Sequence, residues 1–428
     1  MKNKIIRNAS WIIICRIAQS VLTLVIGMLT ARYLGPSNYG LINYASSIVS
    51  FVTPIMYLGL NSILVQEIIQ NPNQEGEILG TSIVMSLGSA VLCIIGVVSF
   101  ALVANAGETE TLIVCALYSM LLIFQAVDLI QYWFQAKLMS KYTSITMLCA
   151  YLVVSIYKIF LLATGKNIYW FALSNVIDYA IIAISLLIIY KKCGGSKFFF
   201  SVQTGKRLIS RSKYYIISSI MTVVFTQTDK VMLKIMLDDA ATGYYSAAVT
   251  CAGVSSFVFS AIIDSARPTI FQSAKLCKEQ FELNMTRLYS VVIYLSLAQS
   301  LFMTILARPI INLLYGNQYT ATANVLRLVV WYTTFSYIGA VRGIWMLAEE
   351  KQKYLLVANV FGALANVIVN AILIPRYGMF GAAFASIATQ FFANIGIGYI
   401  IRPIQRNNIL VVRALNPVIL KEIILRIK

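Results

Sequence analysis

The residues best suited to bind ligands or ions are a few charged side chains inside long apolar runs. Arg16, Asp178, Asp229 and Lys230 each interrupt such a run. A charge in the centre of a bilayer costs about 2.5–3.5 kcal/mol or more, so these groups are expected to pair or to line a water-filled cavity. Cations suit a phosphate-bearing substrate, and buried carboxylates suit coupling to H⁺ or Na⁺. The chain has no histidine, which excludes histidine relays, histidine metal ligands and Ser-His or Cys-His catalysis.

The composition indicates a membrane protein that crosses the bilayer many times. Of the 428 residues, 59% are hydrophobic and only 12% are charged, whereas soluble proteins carry about 25% charged residues. So few charges cannot cover the surfaces of the roughly three soluble domains that this length would otherwise suggest. The seven cysteines include no C-x-x-C pair and are interpreted as small buried hydrophobic residues.

Twelve apolar runs are long enough to cross about 30 Å of hydrocarbon. With the N-terminus inside, 24 of the 34 basic residues lie on inner segments and five on outer ones. This bias predicts that both termini are cytoplasmic. The predicted spans are 9–33, 40–66, 79–104, 111–135, 143–164, 168–190, 214–236, 241–267, 286–306, 323–347, 354–375 and 379–401.

The chain also repeats itself. A shift of 203 residues superimposes Leu34, Gly40 and Ala45 on Leu237, Gly243 and Ala248, and a shift of 212 superimposes Trp133, Ala136, Lys141 and Tyr142 on Trp345, Ala348, Lys353 and Tyr354. Two parallel halves of six helices are a transporter architecture. We therefore predict a six-helix lobe at 1–190, a basic cytoplasmic linker at 191–213, a second six-helix lobe at 214–401 and a basic amphipathic cytoplasmic tail at 402–428.

Polar residues recur at helical spacing on the leading helices of both halves. Under the 203-residue shift Arg16, Gln19 and Thr23 coincide with Ser219, Thr222 and Thr226, and Gly27 coincides with Lys230. The sets are Arg16, Gln19, Thr23 and Thr30 on the first span and Ser219, Thr222, Thr226 and Lys230 on the seventh. Tyr57 and Asn61 continue the pattern on the second span. These helices are predicted to line a central cavity, because lipid offers polar groups no partners. The alternative is helix–helix packing through small and hydroxyl residues.

Other polar residues suggest sugar binding and ion coupling. Amides and aromatic rings, including Trp133, suit the hydroxyls and faces of sugars. The carboxylates considered for ion coupling are Asp128, Asp178, Asp229 and Asp264. For Asp229 and Lys230 the alternative is a purely structural ion pair. Lys158, Lys234 and Arg342 lie near span ends, and Lys234 and Arg342 are expected to extend to the membrane surface.

Two basic segments are candidates for contact with anionic lipids of the inner leaflet. In the tail, Ile419, Leu420, Ile423, Ile424 and Ile427 recur at helical spacing opposite Lys421, Arg426 and Lys428. The linker 191–213 combines Phe198-Phe199-Phe200 with seven basic residues. Both segments read as membrane-surface elements; for the linker, a solvated loop that only sets topology is the equal alternative.

The segment TARYLGPSNYGLINYA at 30–45 resembles the polysaccharide-transport flippases of the multidrug/oligosaccharidyl-lipid/polysaccharide exporter superfamily, which include the O-antigen and capsule repeat-unit flippases. Gly243-Tyr244-Tyr245-Ser246-Ala247-Ala248, Trp133-Phe134-Gln135-Ala136 and Tyr377-Gly378…Gly381-Ala382-Ala383 are also similar to that family. The resemblance implies an all-α polytopic protein with about 12 transmembrane helices, whose two six-helix lobes form a V around a central cavity.

The resemblance also implies translocation of a polyprenyl-pyrophosphate-linked oligosaccharide from the inner to the outer leaflet by alternating access. Cationic residues would meet the pyrophosphate. The resulting candidate substrate-binding residues are Arg16, Gln19, Arg32, Tyr57, Asn61, Trp133, Lys158 and Lys230.

We therefore expect a transporter of the bacterial cytoplasmic membrane, not an enzyme. It would have no cofactor, with H⁺ or Na⁺ as the coupling ion. The expected partners are a lipid-linked oligosaccharide, anionic inner-leaflet lipids and other membrane proteins of polysaccharide assembly, and no nucleic acid. Two alternatives stay open: a cation-coupled multidrug exporter of the same superfamily, and a membrane-embedded glycan polymerase or ligase.

Overall fold

The computed structural model describes the backbone of residues 2–421 and the side chains of Cys15 and residues 17–421. The described residues form helices and connecting turns, without strands. They divide into two compact units at Gln227/Thr228. The helices that begin in the first unit are α1 (Lys2–Met56), α2 (Leu64–Gln70), α3 (Glu75–Ala104), α4 (Thr109–Ser119), α5 (Leu121–Val127), α6 (Gln131–Ala136), α7 (Ser140–Ala163), α8 (Ile168–Lys192) and α9 (Val202–Met236).

The second unit contains the end of α9 and ten further helices, with a π-helical turn at Phe392–Gly396. Short 3₁₀ turns lie at Leu60–Ser62, Pro72–Gln74, Asp128–Ile130, Asn317–Tyr319 and Arg402–Ile404. The helices are α10 (Asp239–Ala252), α11 (Ser256–Leu276), α12 (Lys278–Ile305), α13 (Ala307–Tyr315), α14 (Thr320–Val329), α15 (Tyr332–Ala348), α16 (Gln352–Tyr377), α17 (Met379–Phe391), α18 (Ile397–Ile400) and α19 (Gln405–Ala414).

Among the described residues, nine helices are long and apolar enough to cross a membrane, or ten if α10 and α11 form one bent span. The predicted class, an all-helical membrane protein with many spans, is confirmed. The first predicted span, 9–33, lies in α1, which is interrupted at Gly35 (φ 73°). The second, 40–66, continues beyond the end of α1 through the 3₁₀ turn Leu60–Ser62 into α2. The predicted span 323–347 is divided between α14 and α15. The number twelve therefore stays a prediction.

The internal repeat is visible in backbone geometry as well as in sequence. Leu138 and Glu350, which are 212 positions apart, both have a φ of 56° although neither is glycine. Each follows a helix end of the same form, since the amide of Met139 donates to the carbonyl of Phe134 and the amide of Lys351 donates to that of Met346, both at 2.7 Å. These are matching 6→1 helix caps, so the two halves share a turn as well as residues.

The predicted basic linker is docked on the first unit. Its residues between α8 and α9 run in extended form across the start of α3, where Gly76 and Gly80 provide a surface without side chains. The amide of Phe199 donates to the carbonyl of Gly76 at 3.3 Å. The amide of Ser201 donates to the Thr81 hydroxyl at 3.0 Å. The two glycines thus allow backbone to contact backbone.

Acidic residues before and at the start of α3 form ion pairs with three basic residues, two of which belong to the predicted linker. Glu67 is 1% exposed and forms ion pairs with Arg207 and Arg211 of α9. Glu75 pairs with Lys137 at 2.8 Å. Because these contacts lie within the protein, part of the linker's positive charge is neutralised by the first unit itself.

The predicted tail segment is likewise docked, on the second unit. Helix α19 buries Ile404, Leu410, Val411 and Ala414 near its start and along one face. Arg406 forms a bidentate ion pair with Glu282 of α12: its Nε donates to Oε1 at 2.7 Å and its Nη2 to Oε2 at 2.6 Å. The lipid-facing role predicted for the tail stays a prediction. Of the residues on which it depended, Ile423, Ile424, Arg426, Ile427 and Lys428 lie outside the described residues.

We predict that Gly80→Ala releases the linker, because the added methyl would overlap the backbone of Phe199. The overlap should cost about 1–3 kcal/mol of stability and should speed tryptic cleavage after Lys197 in detergent. Gly88→Ala, in the same helix with open space around the new methyl, is the matched control. Equal cleavage rates in the two variants would contradict the docking.

Candidate functional site

The most completely bonded charged group in the second unit is the carboxylate of Asp229, which is 7% exposed. Its Oδ2 accepts hydrogen bonds from the hydroxyls of Tyr245 at 2.6 Å and Ser386 at 2.5 Å. Its Oδ1 accepts from the side-chain amides of Asn366 at 3.0 Å and Asn370 at 2.6 Å. All four neighbours donate, an arrangement that an ionised, acceptor-only carboxylate satisfies.

Four helices bring these groups together. Asp229 lies on α9 and Tyr245 on α10. Asn366 and Asn370 are four residues apart on α16, and Ser386 and Thr389 are three apart on α17, so each pair shares a helix face. Asn366 also donates to the Thr389 hydroxyl at 3.4 Å. We call this cluster the Asp229 site; it comprises Asp229, Tyr245, Asn366, Asn370, Ser386 and Thr389.

The Asp229 site is rich in oxygen and carries a single carboxylate. Every other member has an oxygen that can be turned towards a cation, and the Asn370 Oδ1 is buried without a hydrogen-bond partner in the described structure. The described residues contain no group of three or more His, Cys, Asp or Glu suited to a metal ion. Hard cations prefer oxygen ligands, and divalent sites use several carboxylates. One carboxylate among neutral oxygens therefore matches a monovalent cation.

The first unit holds two further predicted carboxylates. Asp128 is 4% exposed; its Oδ2 accepts from Gln131 at 2.6 Å, and its Oδ1 is buried without a hydrogen bond. The hydroxyl of Tyr57 lies close enough to Asp128 for an electrostatic interaction. Asp178 interacts in the same way with Lys158. The structure thus groups four of the predicted site residues into two pairs.

The remaining predicted residues are more scattered. Gln19 borders a cavity of about 150 Å³ that Gln131 also lines. Arg32 is exposed and Asn61 is half-buried. Trp133 is buried, with its ring 4.8 Å from that of Tyr190. The side chain of Arg16 lies outside the described side chains.

Two charged residues of the second unit form local ion pairs. Asp264 is exposed and pairs with Arg267 at 3.1 Å, one turn along α11. Lys234, which was expected to extend to the membrane surface, is instead buried, and its Nζ lies 2.8 Å from a carboxylate oxygen of Asp239. That expectation was wrong because an acid at the start of the next helix is within reach. The role in ion coupling proposed for Asp264 stays a prediction.

Sequence reasoning missed five of the six members of the Asp229 site. It identified Asp229 but assigned no role to Asn366, Asn370, Ser386 or Thr389, and it used Tyr245 only as part of a resemblance. A signal was present, since Asn366 and Asn370 are polar residues at helical spacing within an apolar run. The sequence did not indicate that these two amides face Asp229.

The fold is shared with solved transporters. The chain superimposes on a structure titled "Lipid II flippase MurJ, inward closed conformation", with a TM-score of 0.75, 15% identity, and coverage of 94% of this chain and 90% of that one. It also superimposes on an inward-facing multidrug resistance MATE family transporter of the MOP superfamily, with a TM-score of 0.69, 11% identity, and coverage of 91% and 96%. The protein therefore has the multi-pass membrane fold of these transporters.

Sequence comparison gives the family. Residues 5–274, more than half of the chain, match the sequence model of a family described as polysaccharide biosynthesis protein, and the chain belongs to that family. It is also 23% identical over 195 residues to the "Probable low-salt glycan biosynthesis flippase Agl15" of Haloferax volcanii. That match spans 45% of this chain and 41% of the relative.

We predict that Tyr245→Phe destabilises the second unit, because it removes one donor from a buried carboxylate. Hydrogen bonds to charged groups contribute about 1.5–3 kcal/mol each. The thermal unfolding temperature measured in detergent should therefore fall. Tyr244→Phe is the matched control, since the Tyr244 ring packs against Tyr319 instead. A larger loss in Tyr244→Phe than in Tyr245→Phe would contradict the network.

Proposed function

We propose that this protein is a flippase that moves a polyprenyl-pyrophosphate-linked oligosaccharide from the inner to the outer leaflet, driven by Na⁺ entering the Asp229 site. The family is one of polysaccharide biosynthesis, and the relative from Haloferax volcanii carries the name of a glycan flippase. The observation that carries the coupling mechanism is the buried Asp229 carboxylate surrounded by neutral oxygen-bearing side chains.

Na⁺ suits the Asp229 site in charge and in ligand type. Amides and hydroxyls act as donors to Asp229 without the ion, and each also has an oxygen that can accept or coordinate. Binding would exchange hydrogen bonds for ion–oxygen contacts among groups from α9, α10, α16 and α17. An ion that makes different contacts in two arrangements of those helices shifts the equilibrium between them, which is what alternating access requires.

The substrate side of the proposal involves Lys230, the residue after Asp229. Consecutive residues lie about 100° apart around a helix, so α9 presents the ion-site carboxylate and a half-buried cation on different faces. Lys230 also interacts electrostatically with Asp229. Neutralising that carboxylate with Na⁺ would leave the Lys230 charge less compensated and more available to a pyrophosphate. Arg16, Arg32 and Lys158 are the other candidate cations.

We predict that Na⁺ raises the thermal stability of the purified protein and that Asp229→Asn abolishes this effect. A ligand at 100 times its Kd stabilises the folded state by about 2.7 kcal/mol, and K⁺ or choline at the same ionic strength should give much less. Asp264→Asn, which alters an exposed acid of the same unit, should keep the Na⁺ response. A response that survives in Asp229→Asn would remove Na⁺ from this site.

We predict that Lys230→Ala lowers flipping of a pyrophosphate-linked oligosaccharide in proteoliposomes by about tenfold or more, because a charge-assisted contact is worth about 1.5–3 kcal/mol. Lys230→Arg, which keeps the charge, is the control and should keep most of the activity. Deletion of the gene in its host should cause lipid-linked glycan to accumulate on the inner leaflet. If neither the glycans nor their leaflet changed but export of cationic drugs fell, the multidrug alternative would replace this proposal.

A further inference from the structure

A π-helical turn at Phe392–Gly396 directly follows α17, the helix that carries Ser386 and Thr389. Such turns insert a residue into an α-helix and are frequent at functional sites. Because each α-helical residue advances about 100° around the axis, one inserted residue rotates α17 by about that angle relative to α18. The turn therefore determines which residues of α17 face Asp229.

Arg342 of α15 holds one carbonyl of this turn. Its side chain is 1% exposed, and Nη1 donates to the carbonyl of Ala393 at 2.6 Å. The expectation that Arg342 extends to the membrane surface was wrong, because its guanidinium is buried and donates to a backbone carbonyl of another helix. Arg342 thus gives this carbonyl a charged donor from another helix. The Nε and Nη2 of Arg342 have no hydrogen-bond partner within the described structure, so the contact to Ala393 is the one that fixes its position.

Asn408 of α19 holds a second carbonyl. Its Nδ2 donates to the carbonyl of Ile395 at 2.8 Å, and its side chain is 2% exposed. The amide of Asn408 packs directly against Gly398, where a methyl group would overlap it. The turn is thus held from two directions, by α15 and by the docked tail helix.

A third contact seats the turn against α15. The side chain of Asn394 fills the space above Gly339, where an added methyl would overlap its amide. The Asn394 Nδ2 also donates to the Gln390 Oε1 at 2.8 Å, on the last turn of α17. One helical turn further along α15, Gly343 has open space around it. The glycine at 339 is therefore required by a specific neighbour, and the glycine at 343 is not.

We propose that Arg342, Asn394 and Asn408 are positioning residues: they hold the π-helical turn and so set the rotation of α17 at which Ser386 and Thr389 face Asp229. The effect on ion binding rests on the proposed function of the Asp229 site. The effect on the rotation of α17 does not, and it can be measured without any ion.

The test is a disulfide cross-link between Asp229→Cys and Ser386→Cys, measured by mass spectrometry on the folded, monodisperse protein. Gly339→Ala should lower its yield about tenfold, as for other outer-shell supports of a site. Gly343→Ala makes the same change in helix propensity and should leave the yield unchanged. Adding Asn394→Ala to Gly339→Ala removes the overlap but also the Asn394 contact, and should raise the yield only to the reduced level of Asn394→Ala alone.

Arg342 supplies a second arm in case Gly339→Ala does not fold. Arg342→Met removes the donor to Ala393 and should lower the cross-link yield, and Arg342→Lys should recover part of it. In the chain without added cysteines, Gly339→Ala should weaken Na⁺ binding about tenfold, with only partial recovery in the double variant.

The two proposals fail in different ways. An unchanged cross-link in both Gly339→Ala and Arg342→Met would overturn the positioning role, whatever Na⁺ does. Loss of the cross-link together with an absent Na⁺ response in the unmutated protein would support the positioning role and reject Na⁺ as the coupling ion.

Discussion

The second unit depends on one constraint, which is that a carboxylate buried in an apolar protein needs donors. Asp229 obtains four, from the neutral side chains of three other helices. Each such bond contributes about 1.5–3 kcal/mol because one partner is charged. The register of α16 and the rotation of α17 relative to α9 are consequently fixed by chemistry as well as by packing. The same oxygen-bearing groups make the site suitable for a small cation.

Charges elsewhere in the molecule follow the same rule in different forms. Glu67 is buried beside two arginines, Lys234 beside Asp239, and Arg342 beside the backbone carbonyl of Ala393. In each case a polar group that would be costly to bury is matched by specific partners. Few charges are present, so each matched pair also ties together particular helices.

The π-helical turn fixes how α17 approaches the Asp229 site. It separates the part of α17 that faces Asp229 from α18, and it is held by side chains of α15 and α19. Because α19 is docked through Glu282 and Arg406 on the start of α12, the tail takes part in shaping the second unit. Helix α19, part of a tail that the sequence predicts to lie on the membrane surface, supports the π-helical turn.

The sequence by itself determined the class of protein and the internal repeat and singled out Asp229 as a charge within an apolar run, because hydrophobic runs, repeated turns and charges inside spans are local patterns. The matching turns at Leu138 and Glu350 show that the repeat in the sequence is accompanied by a repeat in backbone conformation. Only the tertiary structure decided which groups surround a charge. Asn366, Asn370, Ser386 and Thr389 become a site through the approach of α16 and α17 to α9, and the buried guanidinium of Arg342 meets the carbonyl of Ala393, 51 positions away in sequence. Those partners are distant in sequence, and hydrogen bonding depends on distance in space.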